Sequence, residues 1–548
     1  DWMTDPATVW GQCFVDRFAG DFSGLYRSAG YLTELGLTHL HVMPPYLSPP
    51  DQSDGGYAVS NYRKTRPDLG PVSEFRSVIR GLADAGVGLV LDAVANHTAD
   101  DHPWARAAKA GDPRFRDFYM MFEDRTEPDQ YAPWLREIFP DRGGDAFTWR
   151  PDVDGGGMWV WTTFHEYQWD LNYANPEVLT AMTAEMLFLA NLGASVIRMD
   201  ATPFLWKRPG TSCENLPEAH LLLQLFNALM AVVAPSVRLL SEAIVHPDDV
   251  EKYIRPQECQ LGYNPLVMAS LWEALATQDA RLLRAAIARH QTRAEGCQRI
   301  TYLRCHDDIG WGFADEDAVE LGIDPVGHRA FLNEFYDGSF PGSFAAGARF
   351  QDNSRTGDAR MSGTLASLAG LDQAVANDDQ AATDLATRRI LMLNAVMLTA
   401  VGIPLVYLGD EIGQPNDEDG RHAPDNRWMH RPQYDRERLK SAAAGSGPEG
   451  VILSGMRRLI SFRKNCQALR DSTPDLVDAG DPAILAFRRA AGGTTLQVVA
   501  NFSPVAVPAS LDLDGDWHDA WSGEGVGDAV GELEPYGFRL LVHSAKDS

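Results

Sequence analysis

The chain has 548 residues, of which 45% are hydrophobic and 23% charged, a balance typical of a globular protein with a sizeable core. Its formal net charge of −28 argues against nucleic acid or an anionic membrane surface as a partner, because both bind clustered Lys and Arg. The charge is compatible with a neutral substrate.

The six cysteines are scattered and form no CxxC pair, so we expect neither a disulfide framework nor a zinc site. We interpret them as reduced packing residues. No apolar run reaches about 18 residues, so we expect no membrane-spanning helix. The cysteine pattern and the missing leader favour a cytoplasmic protein, but the chain starts without Met and secretion stays open.

Short β-branched runs alternate with longer amphipathic segments, a pattern typical of βα units around a parallel sheet. The clearest predicted helix is Pro176–Leu192, which begins at a proline and ends before Gly193. We therefore predict an α/β fold, a (β/α)8 TIM barrel. Its predicted strands are Val9–Phe18, His39–Met43, Gly88–Val94, Ala194–Met199, Val237–Ala243, Gln260–Asn264, Ile300–Cys305 and Ile403–Leu408.

Two connections between these strands far exceed the usual length of about 2–6 residues. We expect inserted lobes at 98–175, after strand three, and at 309–370, after strand seven, on the face where barrel enzymes build their sites. From residue 471 to 548, short alternating runs predict an antiparallel β-sandwich domain. The barrel then comprises 1–97, 176–308 and 371–470.

Polar residues that a packed core would exclude stand at the ends of four predicted strands. Titratable groups at the carboxyl ends of several barrel strands are typical of an active site. Each residue alone is as well explained by a cap, an ion pair or a core histidine, but their joint occurrence favours catalysis. They are Asp92, Asn96 and His97 on strand three, Arg198 and Asp200 on strand four, Glu242 on strand five, and His306, Asp307 and Asp308 on strand seven.

Asp200 and Glu242 are 42 residues apart, which places them on neighbouring strand ends. Neighbouring strands lie about 4.8 Å apart, so the two carboxyl groups can reach the separation of about 5–5.5 Å found in retaining glycosidases. We predict Asp200 as the nucleophile, because Arg198 points to the same side and can keep it ionised, and Glu242 as the general acid/base. Asp307 is expected to stabilise the transition state, and His97 and His306 to donate hydrogen bonds to the sugar.

These strand-end motifs resemble the four signature motifs of the α-amylase family of glycoside hydrolases, and the resemblance covers nearly the whole chain. Within that family the chain is similar to the amylosucrase and sucrose hydrolase group. The matching segments are Ser53-Asp-Gly-Gly-Tyr57, Leu135-Arg-Glu-Ile-Phe-Pro140, Gln168-Trp-Asp-Leu-Asn-Tyr173, Gly210-Thr-Ser-Cys-Glu-Asn-Leu-Pro217, His306-Asp-Asp-Ile-Gly-Trp311 and Asp425-Asn-Arg427.

The resemblance implies a glucose pocket whose floor is closed by a pair between Asp54 and Arg427. Tyr57 and Phe164 would flank the sugar ring, and Arg198, His97 and His306 belong to the same sugar-binding set. Gln351 and Asp308 would contact sugars, most plausibly on the fructosyl side. The positions similar to acceptor sites of amylosucrases are Arg136, Arg329, Phe331 and Arg360.

The implied reaction is cleavage of sucrose with release of fructose through a β-glucosyl enzyme. Transfer to an α-1,4-glucan end would make the chain an amylosucrase, and transfer to water a sucrose hydrolase. An α-glucosidase or maltose-type transglycosylase is a further alternative, because specificity depends on pocket contacts that sequence separates poorly. A non-catalytic binding subunit is disfavoured because Asp200, Glu242 and Asp307 are all retained.

Three departures from amylosucrases put polymer synthesis in more doubt than sucrose cleavage. The barrel begins almost at Asp1, where amylosucrases carry a helical domain, and the segments Phe335–Phe340 and Pro415–Asp425 are shorter or altered. We expect no calcium, since the residues after Asp200 lack the histidine found in calcium-binding α-amylases. No nucleotide cofactor is expected either, because no glycine-rich phosphate loop follows a strand. The oligomeric state stays open.

Overall fold

A computed structural model describes residues 2–140, 145–353 and 358–544 of the chain. Asp1 and residues 545–548 of the predicted C-terminal domain lie outside the described residues. Across the described part, no helix has both the length and the apolar character needed to cross a membrane. All six cysteines are buried and none forms a disulfide within the described residues, as expected of packing residues.

Eight parallel strands form a closed barrel in which each strand neighbours the next one in the sequence and β8 returns to β1. This confirms the predicted fold class. The strands are β1 (Trp10–Cys13), β2 (His39–Val42), β3 (Gly88–Val94), β4 (Ala194–Asp200), β5 (Arg238–Ser241), β6 (Leu261–Tyr263), β7 (Gln298–Tyr302) and β8 (Ile403–Tyr407).

The predicted first strand was too long. β1 ends at Cys13, and Val15–Phe18 form a one-turn helix with Asp16 in its first turn. An acidic residue at this place complements the positive end of a helix, so the local sequence favours the helical turn over a longer strand.

Several helices that follow the strands bury one apolar face, whereas Pro265–Thr277 is buried on all sides. In Val72–Asp84 this face consists of Phe75, Val78, Ile79 and Leu82, at helical spacing. The predicted helix Pro176–Leu192 is confirmed, and Gly193 ends it at a φ of 115°. The other long helices are Pro217–Val233, Pro265–Thr277, Arg281–Ala288, Gln380–Thr399 and Gly447–Asn465.

Both long insertions contain ordered structure. The one after β3 pairs strand His97–Ala99 with Gln168–Asp170 and adds a small sheet of Met121–Phe122, Met158–Trp161 and Phe147–Arg150. The one after β7 contains helices Asp315–Glu320 and Pro325–Tyr336 and a hairpin of Ala348–Asn353 with Asp358–Ser362.

The C-terminal segment forms an antiparallel six-stranded sheet and a two-stranded sheet. Their facing side chains share one core cluster, with Ile484, Val499 and Leu541 from the larger sheet and Leu511 and Leu533 from the smaller. The strands are Asp475–Leu476, Ile484–Ala491, Thr494–Asn501, Phe538–Ser544, Trp517–Asp519 and Gly525–Val526 in the first sheet, and Val507–Asp512 and Ala529–Leu533 in the second.

By internal packing the chain divides into two compact units. The N-half unit comprises Cys13–Gly30 and Leu40–Tyr263, and the C-half unit comprises Asp1–Gln12, Tyr31–His39 and Asn264–Ser548. The finer division predicted above, into a discontinuous barrel, two lobes and a terminal domain, stays a prediction.

Candidate active site

In the N-half unit, the Arg198 guanidinium is bracketed by two carboxylates. The register of β3 and β4 sets Arg198 beside Asp92, and Asp200 is two residues further along β4 on the same side. Arg198 Nη1 donates to Asp92 Oδ1 at 2.6 Å and to Asp200 Oδ1 at 2.7 Å. The pairing of Arg198 with Asp200 predicted from sequence is present in this structure.

Both carboxylate oxygens of Asp92 have hydrogen-bond partners, and the residue is fully buried. Its Oδ2 lies 2.8 Å from His41 Nε2, and its Oδ1 accepts from the Tyr57 hydroxyl at 3.3 Å as well as from Arg198. The Arg198 guanidinium also lies over the Tyr57 ring, 5.4 Å from its centroid. Tyr57 thus contacts the carboxylate array directly, in addition to the sugar contact expected of it.

Burial strongly raises the pKa of Asp200. The Arg198 guanidinium opposes that rise, while the neighbouring carboxylates of Glu242 and Asp92 add to it. The ionised form of Asp200 is therefore favoured by one specific ion pair, with Arg198, and disfavoured by its separation from water.

Glu242 follows β5 directly and is anchored by Ala201, the residue after Asp200. Ala201 donates its backbone N–H to Glu242 Oε2 at 2.7 Å, and it does so from a left-handed conformation with a φ of 52°. Such a conformation is costly for a residue with a side chain and persists where the surroundings impose it. Thr202 adds a hydroxyl hydrogen bond to the Glu242 carbonyl at 2.9 Å. Glu242 is thus hydrogen-bonded to Ala201 and Thr202, the two residues that follow Asp200 in the chain.

The His97 ring is buried and neutral. Burial lowers the pKa of His97 to about 4, so the imidazole is uncharged at neutral pH. The Asn96 amide lies 3.3 Å from His97 Nδ1 and can only donate there, which leaves the ring proton on Nε2. His97 Nε2 makes no hydrogen bond within the described residues, and the ring packs against Phe164 with centroids 5.2 Å apart. This donor and this aromatic face are suited to a sugar hydroxyl and a sugar ring.

Asp54 stands in a tight turn of the same unit. Gly56 has a φ of 98°, and a side chain there would collide with the Pro44 carbonyl, so the turn requires glycine. Gln168 Nε2 donates to Asp54 Oδ2 at 3.1 Å, and His165 lies 3.8 Å away. The predicted pairing of Asp54 with Arg427 stays a prediction.

The ammonium group of Lys207 occupies the position beside Asn96 at which a calcium ion would be expected. Lys207 Nζ lies 2.8 Å from Asn96 Oδ1, 2.7 Å from Asp170 Oδ2 and 2.5 Å from the Phe204 carbonyl. These three oxygens are of the kind that Ca²⁺ prefers, but the lysine already supplies their cation. The residues therefore do not fit a calcium ion.

In the C-half unit, the ligand atoms of Cys305, His306 and Asp307 lie within 4.8 Å of one another. There His306 Nε2 approaches Asp307 Oδ2 directly, at 3.2 Å.

In the C-half unit, Gln12 at the end of β1 fixes His306. The backbone N–H of His306 donates to Gln12 Oε1 at 3.0 Å, which leaves the amide nitrogen facing His306 Nδ1 at 3.3 Å. That nitrogen can only donate, so Nδ1 accepts and the ring proton lies on Nε2, toward Asp307.

Two arginines surround the carboxylates that follow β7. Arg427 binds Asp425 through a short bidentate pair at 2.8 Å and lies 3.6 Å from Asp307. Arg360 lies 3.6 Å from Asp308. Burial raises the pKa of Asp308, opposed by Arg360 and Arg427. Burial alone would also raise the pKa of Asp425, but Arg427 outweighs it and holds this pKa well below its usual range.

Gln351 lies on the hairpin after β7, at a register shift, with a φ of 53°. Its Oε1 is buried and has no hydrogen-bond partner among the described residues. Buried acceptors are nearly always satisfied in folded proteins, so this oxygen is suited to a ligand hydroxyl.

The four predicted acceptor positions lie in three places. Arg329 and Phe331 are on helix Pro325–Tyr336, where Arg329 pairs with Asp315 at 2.5 Å and Phe331 packs edge-on against Phe340. Arg360 is on the hairpin strand Asp358–Ser362. In the N-half unit, the exposed Arg136 forms a bidentate pair with Glu214 at 2.6 Å.

Sequence reasoning missed His41, Gln12 and Lys207, which hold other site residues. The signal for His41 and Gln12 was present, because each is a polar residue inside a fully buried barrel strand. Lys207 carried no such signal, since a lysine in a polar loop is ordinarily solvated.

A parallel barrel with carboxylates at successive strand ends defines a class of carbohydrate-active enzymes, and the comparisons with known proteins agree. The family model described as the alpha amylase catalytic domain matches residues 4–310, more than half of the chain. The chain belongs to the α-amylase family and is a glycosidase or transglycosylase of that family. A model described as a domain of unknown function matches residues 475–540.

Among the relatives, trehalose synthase of Pimelobacter sp. (strain R48) is 29% identical over 533 residues, covering 90% of this chain and 85% of the relative. Glucosylglycerate phosphorylase of Allomeiothermus silvanus is 28% identical over 473 residues, covering 84% and 76%. The solved structure of sucrose 6F-phosphate phosphorylase from Thermoanaerobacter thermosaccharolyticum superposes with a TM-score of 0.72 at 17% identity, covering 96% of this chain and 98% of that one. At that identity the match shows the fold alone.

Proposed function

We propose that this chain cleaves sucrose with retention of configuration and transfers the glucosyl unit to an α-1,4-glucan end, as amylosucrases do. The observation that carries the retaining mechanism is the Asp200–Arg198–Asp92 array, with Glu242 anchored on the N–H next to the nucleophile. In a retaining enzyme one carboxylate becomes covalently glycosylated and the other donates and then accepts a proton.

In the first step, Asp200 attacks the anomeric carbon of glucose. The bond from this carbon to the fructosyl oxygen breaks, and Glu242 gives its proton to that oxygen, so fructose leaves. In the second step, the acceptor hydroxyl attacks the same carbon and gives its proton to Glu242, which releases Asp200. Asp307 supplies negative charge that stabilises the oxocarbenium-like transition state.

Sugar-binding roles follow from the donors and acceptors that the protein leaves available. His97 offers Nε2, which makes no hydrogen bond within the described residues, and Phe164 and Tyr57 offer aromatic faces. We propose that Gln351 and Asp308 bind the fructosyl unit, and that Arg427 and Asp54 close the glucose pocket. The buried Oε1 of Gln351 has no hydrogen-bond partner in the part of the chain that the structure describes, which supports this assignment because a fructosyl hydroxyl would satisfy it.

The acceptor decides between the leading alternatives. We propose acceptor contacts for Arg136, Arg329, Phe331 and Arg360. Arg136 and Arg360 are planar donors beside carboxylates, a pairing that can be exchanged for sugar hydroxyls. Where these contacts fail, water takes the glucosyl unit and the enzyme is a sucrose hydrolase.

A second candidate is transglycosylation of a maltose-type disaccharide, and one specific finding favours it. The relative at 29% identity over most of both chains is named a trehalose synthase. The two proposals share the nucleophile and the acid/base and differ in the leaving sugar. Incubation with sucrose, maltose or trehalose, each alone and each with inorganic phosphate, separates them. Fructose release supports the sucrose proposal, whereas interconversion of maltose and trehalose without fructose release contradicts it.

A further inference from the structure

A buried histidine stands behind the nucleophile without touching it. His41, on β2, is fully buried and lies 2.8 Å, through Nε2, from Asp92 Oδ2. Asp92 in turn accepts from Arg198, and Arg198 donates to Asp200. The four side chains form one continuous hydrogen-bonded chain from β2 to the end of β4.

The direction of each bond in this chain is fixed by chemistry. Ionised Asp92 can only accept, so His41 Nε2 must carry a proton. His41 Nδ1 faces the Tyr263 hydroxyl at 3.5 Å, so each ring nitrogen of His41 has a polar neighbour.

We propose that His41 is a positioning residue for the reaction: it holds Asp92 in the orientation that aims Arg198 at Asp200. Arg198 and Tyr57 contact Asp92 at Oδ1, whereas His41 contacts it at Oδ2. Removing His41 takes a hydrogen-bond donor away from Oδ2 inside a fully buried site, which disfavours the charged carboxylate in its present orientation. The carboxylate would then turn or take up a proton. Either response releases Arg198 from its shared position between the two carboxylates. This inference deepens the proposed function and rests on Asp200 being its nucleophile.

The test compares His41→Leu, His41→Gln and His41→Asn, with α-glucosyl fluoride as the substrate. Fluoride leaves without acid assistance, so the first step reports on the nucleophile alone and does not depend on sucrose being the natural substrate. The Gln amide can reach the place of Nε2, whereas the shorter Asn amide reaches only the place of Nδ1. We expect His41→Leu and His41→Asn to lose about 10–100-fold in kcat with little change in KM, the scale of a displaced catalytic group. His41→Gln should recover most of that loss.

A matched control is His102→Leu, which removes a histidine that is also buried but that caps the helix beginning at Pro103 and packs against Trp104. It should lower the melting temperature and leave kcat unchanged. Equal kcat in the Gln and Asn variants, or unchanged kcat in His41→Leu, would overturn the proposal. Trapping the wild type with 5-fluoro-α-glucosyl fluoride keeps the two claims apart. A labelled Asp200 without sucrose cleavage contradicts the sucrose proposal alone. An unlabelled Asp200 overturns the nucleophile assignment and His41 with it.

Discussion

At the scale of single residues, Asp200 combines a functional need with a cost in stability. Its carboxylate is largely withdrawn from water, and Arg198 is its only cationic hydrogen-bond partner among the described contacts. A charge in this position favours attack on an electrophilic carbon, because little water must be displaced. The same burial makes the ionised form unfavourable in the folded protein.

Replacing Asp200 by Asn should therefore remove activity without destabilising the protein. Burial raises the pKa of Asp200 above its unfolded value, so its stabilising effect is complete below the unfolded pKa of about 3.9 and is lost as the pH rises through the folded pKa. Asn cannot ionise. At about pH 7–8 the melting temperature of Asp200→Asn should match or exceed that of the wild type, and the difference should shrink toward acid pH. Calorimetry across this range measures it.

The matched control is Asp92→Asn. Asp92 is buried more completely than Asp200 and binds both Arg198 and His41, and breaking such a buried pair costs about 3–5 kcal/mol. Its melting temperature should fall at neutral pH. A lower melting temperature for Asp200→Asn than for Asp92→Asn would contradict this reading of the array.

Glu242 and Asp200 can be told apart by the configuration of a rescued product. With α-glucosyl fluoride and azide, Glu242→Ala should yield α-glucosyl azide, because azide attacks the glucosyl enzyme from the face that the acid/base has vacated. Asp200→Gly should yield β-glucosyl azide, because azide then replaces the nucleophile itself. Proton NMR of the products reads the configuration. The same anomer from both variants would refute the assignment of roles.

At the scale of structural elements, a lysine ties the loop after β4 to the insertion after β3. Lys207 binds Asn96, Asp170 and the Phe204 carbonyl, and both Lys207 and Asp170 are almost fully buried. Lys207→Met should cost about 3–5 kcal/mol, as expected when one partner of a buried pair is removed. Chemical denaturation measures this loss, and wild-type stability should be insensitive to EDTA.

The control is Lys252→Met, because Lys252 and Asp249 form an exposed pair of the kind worth about 0–1 kcal/mol. A wild-type protein that loses stability on chelation would show that a metal, rather than the ammonium, holds this cage.

The hairpin of Ala348–Asn353 with Asp358–Ser362 contributes specificity under the proposed function. Gln351→Ala should raise KM for sucrose several-fold, because a fructosyl hydroxyl would lose Oε1 as its hydrogen-bond acceptor. Kinetics with α-glucosyl fluoride should be unaffected, since that substrate carries no fructosyl unit. Equal effects on the two substrates would mean that the residue shapes the hairpin instead of contacting the sugar.

Sequence patterns predicted the barrel because their information is local. The short β-branched runs and the polar residues at their ends located β3, β4 and β8 to within a residue. The proline at the start of Pro176–Leu192 and the glycine after it located both ends of that helix. β1 was overextended because the apolar residues of Val15–Phe18 are compatible with either a strand or a helical turn. Contacts between residues far apart in the sequence could not be predicted from local patterns. Nothing local in the sequence indicates that Lys207 replaces a metal or that Gln12 sets the tautomer of His306.

At the scale of the whole molecule, the α-amylase fold provides the scaffold, and under the proposed function individual side chains select the leaving sugar and the acceptor. The two relatives carry different names, trehalose synthase and glucosylglycerate phosphorylase. The net charge of −28 is compatible with neutral sugars as substrates and is unfavourable for polyanions. The leaving sugar and the acceptor are therefore what an experiment must identify.

The most direct measurement is the product distribution after incubation with sucrose alone, quantifying glucose, fructose and glucan chain length. We expect fructose in excess of glucose, and we expect the glucose that is missing from solution to be recovered as α-1,4-linked glucan. Equal glucose and fructose would contradict glucan synthesis and identify water as the acceptor. No fructose, from a protein that still forms a glucosyl enzyme with α-glucosyl fluoride, would contradict sucrose as the substrate.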